Sequence, residues 1–454
     1  MLTAVTALLL AACGSGGSTA SSATGSQTPS SSPSSSATTT ASPSQLPPVT
    51  LRFGVVGGPG EVEQFKTMAE SYAPRDREVT VRVVSWPTDA AMLADFRAGA
   101  PVPDVFMADR RHLAALTQRQ LVQPVDQLLD DRGFDFGDEY PRTSLTAFSG
   151  DNRLQCLPYG LQPQVIFYNK RLVRFDRIRT DAPQAGQGWT IAQFDEAARW
   201  AVQHHPGVAG SYLVPSVSGL APFIYSGGGT PFDDDTAPTS LAFSSDANVQ
   251  SLISTVRALR QPSGTLTPAQ LERRTPLQWF ERGKVAFLES SRRIVPDLRA
   301  QPGLRFDVMP MPSLGTSATV GYLTGMCISR SARDVATASD FLAYANSPGA
   351  LGLVASGGYL QPANQTVALS DAFQQPQYQP AHASVFTFSV KSMVYPPAVV
   401  GSDDLEMAVD PLLTDLLQGR PSEVPARARA IDRASYRVLG PKLGPTAEPS
   451  QSPG

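Results

Sequence analysis

Residues 49–60 read VTLRFGVVGGPG, and residues 104–109 read DVFMAD. The first is a strand-like run that stops at glycine and proline; the second is a short buried-strand pattern that stops at a carboxylate. Between them the hydrophobic period changes. Val62, Phe65, Met68, Ala69 and Tyr72 recur at helical spacing, then Val79-Thr80-Val81-Arg82-Val83 alternates as a half-buried strand does. Met92, Leu93 and Phe96 return to the helical period before Gly99, and Leu113, Leu116 and Leu121 mark a further helix. Strand, helix, strand, helix, strand, helix is the order of an α/β protein, and it predicts a mostly parallel sheet covered on both faces.

The same grammar returns farther along. Val165-Ile166-Phe167-Tyr168 reads as a buried strand. Thr190-Ile191-Ala192-Gln193 is a capping box, in which the hydroxyl and the amide each satisfy a free N–H at a helix start. Ile191, Phe194, Ala197, Ala198 and Ala201 give that helix its buried face. Val249, Leu252, Ile253, Val256 and Leu259 define another, with Ser245 as N-cap. Thr275-Pro276 opens and Gly283 closes a short helix, proline inside the start and glycine past the end. Val285-Ala286-Phe287-Leu288 is again a strand, Ser347-Pro348 to Gly357 repeats the cap, Pro, Gly order, and two helices over 403–418 and 423–439 finish the body. Residues 49–440 are too many for one ordinary core and suit two domains.

The ends read differently. Leu2 to Ala12 is apolar but falls short of the roughly 20 residues a spanning helix needs; it has the length of a secretory apolar segment, with small residues before Cys13. Gly14 to Gln45 contains only Gly, Ser, Thr, Ala, Pro and Gln. Such a stretch buries too little to offset its ordering entropy, and as a flexible tether it would reach roughly 30 Å. The stretch from Pro441 is expected to fray. A net charge of −3 without a basic stripe argues against nucleic acid. Besides Cys13 only Cys156 and Cys327 remain, too few for a four-ligand zinc site. One disulfide is open to an exported chain; two buried thiols are the reading taken. No G-x-S-x-G or H-E-x-x-H motif is present, and Asp233-Asp234-Asp235 lacks the spaced oxygens of a calcium loop. No cofactor, metal or catalytic centre is expected.

Leu10-Ala11-Ala12-Cys13 resembles the lipobox of bacterial lipoproteins. That resemblance implies a signal peptide over 1–12, a lipidated Cys13 and a tether over 13–48. Met1-Leu2-Thr3 lacks the usual Lys or Arg, which leaves the true start open. Within the body, DVFMAD at 104–109, DNRLQCLPYGLQPQVIFYNK at 151–170, FERGKVAF at 280–287, SPGA at 347–350 and GGYLQPAN at 357–364 stand in order. Together they resemble the extracellular solute-binding proteins of bacterial ABC importers, of the sugar-binding type. The resemblance implies a two-lobed periplasmic-binding-protein-like α/β fold with a three-segment hinge near Pro158–Gly160, Thr319–Gly321 and Gly358–Pro362. Lobe one is then 49–159 plus 321–360, lobe two 161–320 plus 361–440, and 441–454 a disordered tail. If bonded, Cys156 and Cys327 would stay within lobe one.

The resemblance further implies a monomeric receptor, lipid-anchored to the outer face of the cytoplasmic membrane. It would capture a small solute, foremost a carbohydrate, by hinge closure and hand it to an ABC permease, with no enzymatic activity. A ligand-sensing subunit for a membrane signalling system and a cell-envelope glycan-processing enzyme are the alternatives. Candidate contacts follow from strand ends and from the family pattern. Asp109 and Arg110 would hydrogen-bond hydroxyls at the cleft edge, or serve as a helix cap with a solvated neighbour. Tyr159 and Gln162 flank the first crossing, and Gln162 stands where relatives often carry an acid. Tyr225 can stack on a sugar or pack in the core. Arg292 stands where relatives place a stacking Trp, and would favour an anionic or amino-bearing ligand; the competing reading is a solvated helix start. Tyr322 and Thr324 replace a small turn, and Tyr359 is a weaker candidate. Gly57 to Gly60 is either a tight turn or a ligand loop.

Overall fold

The computed structural model describes residues 46–177, 187–260 and 264–441. The expected signal peptide, Cys13, nearly all of the tether and the tail beyond 441 lie outside the described residues. The first strand begins earlier than the apolar run, because Leu46 already pairs with Arg77. The strands are β1 (Leu46–Val56), β2 (Arg77–Trp86), β3 (Val105–Asp109) and β4 (Val122–Gln123), then a short hairpin of β5 (Ser149–Gly150) and β6 (Arg153–Leu154). They continue as β7 (Cys156–Pro163), β8 (Val165–Asn169), β9 (Ala209–Tyr212), β10 (Val285–Ser290), β11 (Phe306–Met309) and β12 (Gly321–Ser329).

Two sheets carry the body. One runs β2-β1-β3-β12-β4, with β7 also paired to β12; the other runs β11-β8-β10-β9. The expectation of a mostly parallel sheet is corrected. β1 is parallel to β2 and β3, but β12 is antiparallel to β3, β4 and β7. The reason is where β12 comes from. It does not follow a crossover helix of its own sheet; it enters at Gly321 directly from the region of the second sheet. The second sheet is mixed too, with β8 antiparallel to β10 and β11 and β9 parallel to β10.

Period-two alternation then divides the core. Val165 and Phe167 of β8 join a cluster with Phe53, Phe65 and Phe341, whereas Ile166 and Tyr168 face one with Phe194, Phe223 and Ile431. Local signals hold the covering helices. The Thr190 capping box has both of its bonds, Gln193 N to Thr190 Oγ1 at 3.2 Å and Thr190 N to Gln193 Oε1 at 2.8 Å. Ser245 takes the N-cap position of helix Asp246–Leu259, but its side chain makes no capping bond.

The chain passes between the sheets where four segments lie side by side. β7 pairs with β12 up to Pro163–Gly321, and Gln164 N then donates to Val320 O at 2.8 Å. Leu161 N donates to Gln361 O at 3.0 Å and Ala363 N to Tyr159 O at 2.9 Å, so the third segment is laced to β7. Thr319 is in turn bonded to Ser392 O (3.0 Å) and Val394 N (2.8 Å). The expectation of two free thiols is overturned: Cys156 and Cys327 form a disulfide. They lie directly opposite each other on antiparallel β7 and β12, with Cα atoms 4.4 Å apart, inside bonding range. A separation of 171 residues hid that adjacency from the sequence.

Glu289, on β10 beside this passage, is buried. It accepts from Val214 N at 2.7 Å, and Gln164, its amide turned to satisfy both acceptors, donates to Glu289 Oε1 at 3.1 Å and Ser218 O at 3.0 Å. Burial pushes its carboxyl up from 4.5 to about 8, against the lowering effect of the Val214 bond. The folded state therefore holds a proton that the unfolded state has lost, and stability falls as pH rises from 4.5 through about 8. Denaturant melts across that window should show wild type losing stability relative to Glu289→Gln; parallel profiles would remove Glu289 from the pH response. Replacing both Cys156 and Cys327 by Ser should cost about 2–4 kcal/mol of unfolding free energy, read from the same melts under non-reducing conditions.

Candidate functional site

Strand register assembles the site. Thr324 of β12 lies opposite Asp109 of β3 on one side and Gly160 of β7 on the other; Tyr322, two residues away and on the same face, lies opposite Gln162. Asp109, Gln162, Tyr322 and Thr324 thus converge at the strand ends and line one small polar cavity. The structure adds Glu61, Asp89 and Arg293 to its wall, none of them expected from sequence. Gln162 Oε1 and Thr324 Oγ1 are buried there without a hydrogen-bond partner. Gly57 and Gly60 serve close approach: a Cβ at Gly57 would meet the Glu61 carboxylate, and one at Gly60 the Tyr359 hydroxyl.

The charges are paired across the cleft. Arg293 follows β10 of the second sheet, and Glu61 belongs to helix Pro59–Glu70 after β1 of the first. Their bonds measure 3.0 Å (Nε to Oε2) and 3.3 Å (Nη2 to Oε1). Asp109 Oδ1 accepts from Arg111 N at 2.8 Å and Arg111 Nε at 3.2 Å, and Arg111 Nη1 reaches Glu406 Oε1 of helix Ser402–Gln418 at 2.6 Å. The Arg111 guanidinium also lies 5.5 Å from the centroid of the Tyr322 ring. Burial raises the Glu61 carboxyl, with Arg293 pulling it back down; burial and then repulsion from Asp109 raise Asp89. Burial works to lower Arg111, but Asp109 and Glu406 outweigh it and its pKa is raised.

A second cavity, of about 90 Å³, adjoins the first at Asp109. Arg110 and Arg111 stand at its rim, and its walls are Val217, Ala221, Phe232, Leu323, Pro397 and Val399. Arg110 donates to Ala147 O at 3.0 Å and to Pro396 O, spanning the gap between the sheets' surroundings. Tyr225 is half-buried close enough to Arg110 to interact electrostatically, without lining the cavity. Tyr359 is half-buried beside Gly60.

Two expected contacts are placed elsewhere. Tyr159 is fully buried, its ring 6.0 Å from that of Phe65. Arg292 is fully buried as well. Its guanidinium lies 4.4 Å from the Phe373 ring centroid and donates to Gly358 O (3.1 Å) and Phe373 O (2.8 Å), so it lines neither cavity. Its neighbour Arg293 faces the cleft. In the three-residue turn Arg292–Ile294, successive side chains diverge by a third of a turn. An offset of one residue therefore exchanges core for cleft.

A family model for bacterial extracellular solute-binding proteins matches residues 62–380, well over half of the chain. The chain belongs to that family. No curated protein sequence matches it. Among solved structures, this solute-binding protein is similar to an ABC substrate-binding protein from Listeria monocytogenes in complex with cycloalternan. That match has a TM-score of 0.71 at 18% identity and covers 85% of this chain and 98% of that one. The GacH receptor of Streptomyces glaucescens, solved unliganded and with acarbose, gives 0.69 at 17% identity, covering 87% and 99%. A cyclic alpha-maltosyl-1,6-maltose binding protein from Arthrobacter globiformis gives 0.68 at 18% identity, covering 86% and 99%. These likenesses establish the two-lobed binding-protein fold. The family is extracellular, as expected of an exported chain, and no helix among the described residues is long and apolar enough to cross a membrane.

The two arginines separate by experiment. Arg292→Ala strands two carbonyls and opens a cavity, so a melting temperature several degrees lower is expected, with ligand affinity held within about twofold. Arg293→Ala leaves the buried Glu61 carboxyl unpaired, and its melting profile should become more sensitive to rising pH than that of wild type. A drop in affinity for Arg292→Ala at unchanged stability would reverse this assignment.

Proposed function

We propose that this protein captures an extracellular carbohydrate by closing its two lobes and delivers it to an ABC permease. The lobes would be 49–159 plus 321–360 and 161–320 plus 361–440. The observation that carries the reading is the convergence of Asp109, Gln162, Tyr322 and Thr324 from β3, β7 and β12 onto one pocket, with Gln162 Oε1 and Thr324 Oγ1 buried and unpartnered. Hydroxyl groups, which both donate and accept, would satisfy those atoms and the neighbouring carboxylates. The similar proteins take cycloalternan, acarbose or cyclic alpha-maltosyl-1,6-maltose, ligands in keeping with this chemistry. Glu61, Asp89 and Asp109 around the pocket favour a neutral or amino-bearing ligand over an anionic one.

The small pocket measures only about 10 Å³, room for about one water. A sugar therefore enters with the lobes apart, and the Arg293–Glu61 and Arg111–Glu406 pairs re-form around it or give way to it. Such a ligand must bind the shut form better than the open one, or closure does not follow. Lipid attachment at Cys13 would keep the receptor beside its permease, with the 13–48 segment as tether. The protein itself would hydrolyse nothing.

A thermal-shift screen over mono- and oligosaccharides, uronic acids, amino sugars and polyols tests this. A saccharide at a hundredfold its Kd should add about 2.7 kcal/mol of stability. Gln162→Ala and Thr324→Ala should each weaken that ligand by about tenfold, in keeping with roughly 1–1.5 kcal/mol per hydrogen bond. Saturable stabilisation by amino acids or peptides, with none by any saccharide, would refute the carbohydrate assignment.

A further inference from the structure

The two cavities that meet at Asp109 differ in chemistry. One is ringed by Glu61, Asp89, Gln162, Arg293 and Thr324. The other is walled from both sides by apolar groups: Leu323 of β12 on one, Val217 and Ala221 of helix Val217–Ser226 with Phe232, Pro397 and Val399 on the other. Its charged lining, Arg110 and Arg111 with Asp109 and Glu406, sums to zero. Arg111 is held by Asp109 and Glu406, and Arg110 by the carbonyls of Ala147 and Pro396. Arg110 has no carboxylate of its own, but with two charges of each sign the cavity carries no net charge to draw an anion. Neither cavity is lined by a tryptophan, so the apolar wall is aliphatic and prolyl, with Phe232 its one aromatic ring. Sugar hydroxyls pressed on the apolar part of that wall would lose water without gaining a partner; Ser218 and Ser402 are its uncharged polar side chains. An aliphatic chain would lose nothing and would cover apolar surface that opening of the lobes exposes.

We propose that the solute is a glycoside: its sugar occupies the polar cavity at Gln162 and Thr324, and an aliphatic aglycone runs past Asp109 into the apolar cavity. This rests on the carbohydrate reading above and specifies the substrate class within it. The aglycone carries no charge, and its attachment point on the sugar faces Asp109.

Titration calorimetry on the full chain tests it, with methyl, butyl and octyl glycosides of glucose and of maltose, each below its micelle concentration, and 1-octanol as the chain without a sugar. In at least one series affinity should rise with chain length, the octyl glycoside binding at least tenfold tighter than the methyl. Val399→Asp and Pro397→Asp should collapse that octyl-to-methyl ratio to within about twofold, with cooperative melting as the check on folding. If neither variant folds, the chain-length series on wild type decides. Octyl binding no tighter than methyl in both series, including no binding by either, overturns the proposal, and so does a ratio that survives both substitutions. Tight binding of a methyl glycoside without a chain-length gain sinks the aglycone and leaves the carbohydrate reading standing; 1-octanol binding as tightly as its glycosides sinks both.

Discussion

The backbone hydrogen bonds at the passage between the sheets are the constraint on which the rest depends. Leu161 N to Gln361 O, Ala363 N to Tyr159 O and Gln164 N to Val320 O fix three segments in one register. That register decides which side chains meet. A slip of one residue in β7 would turn Gln162 away and present Leu161 or Pro163 in its place. The Cys156–Cys327 bond lies on the same two strands, seven residues before Pro163 and six after Gly321 in the chain, and holds them against such a slip.

Charge then explains why the cleft is built from pairs. A buried carboxylate or guanidinium is costly alone and tolerable when matched. Glu61 with Arg293 and Arg111 with Glu406 are matched between the surroundings of the two sheets, while Asp109 meets Arg111 locally at the end of β3. Their compensation thus depends on the relation between the sheets. In the structure the partners answer one another; were the lobes to part as proposed, water would have to take their place. The electrostatics of the site and the relative position of the two halves form one problem.

Much of this was readable beforehand, and the gaps have physical causes. The helix grammar of Thr190-Gln193, Thr275-Gly283 and Ser347-Gly357 is local, so sequence alone showed it. Asp109 is legible from its place after a strand, whereas Gln162, Tyr322 and Thr324 are candidates through the family resemblance. The direction of β12 was not legible, because local periodicity does not record from which end a strand enters its sheet. The disulfide was hidden for a related reason: adjacency across a long chain separation comes only from register. Glu61, Arg111 and Glu406 carry no local signal that sets them apart from other charged residues; only the fold pairs Glu61 with Arg293 and Arg111 with Glu406. Arg292 and Arg293 are identical in type, and only the geometry of a single turn distinguishes them.

That turn has a mechanical meaning. Arg292 is sunk between Phe373 and Phe386 and grips the carbonyls of Gly358 and Phe373, while the next residue reaches over the cleft to Glu61. The outward arm shares a root with the inward one. The latch on the mouth of the site is anchored in bedrock and cannot swing freely on a loop. Its root is tied to Gly358 and to Phe373, on either side of the segment that is laced to β7, so the arm is seated at the passage between the sheets.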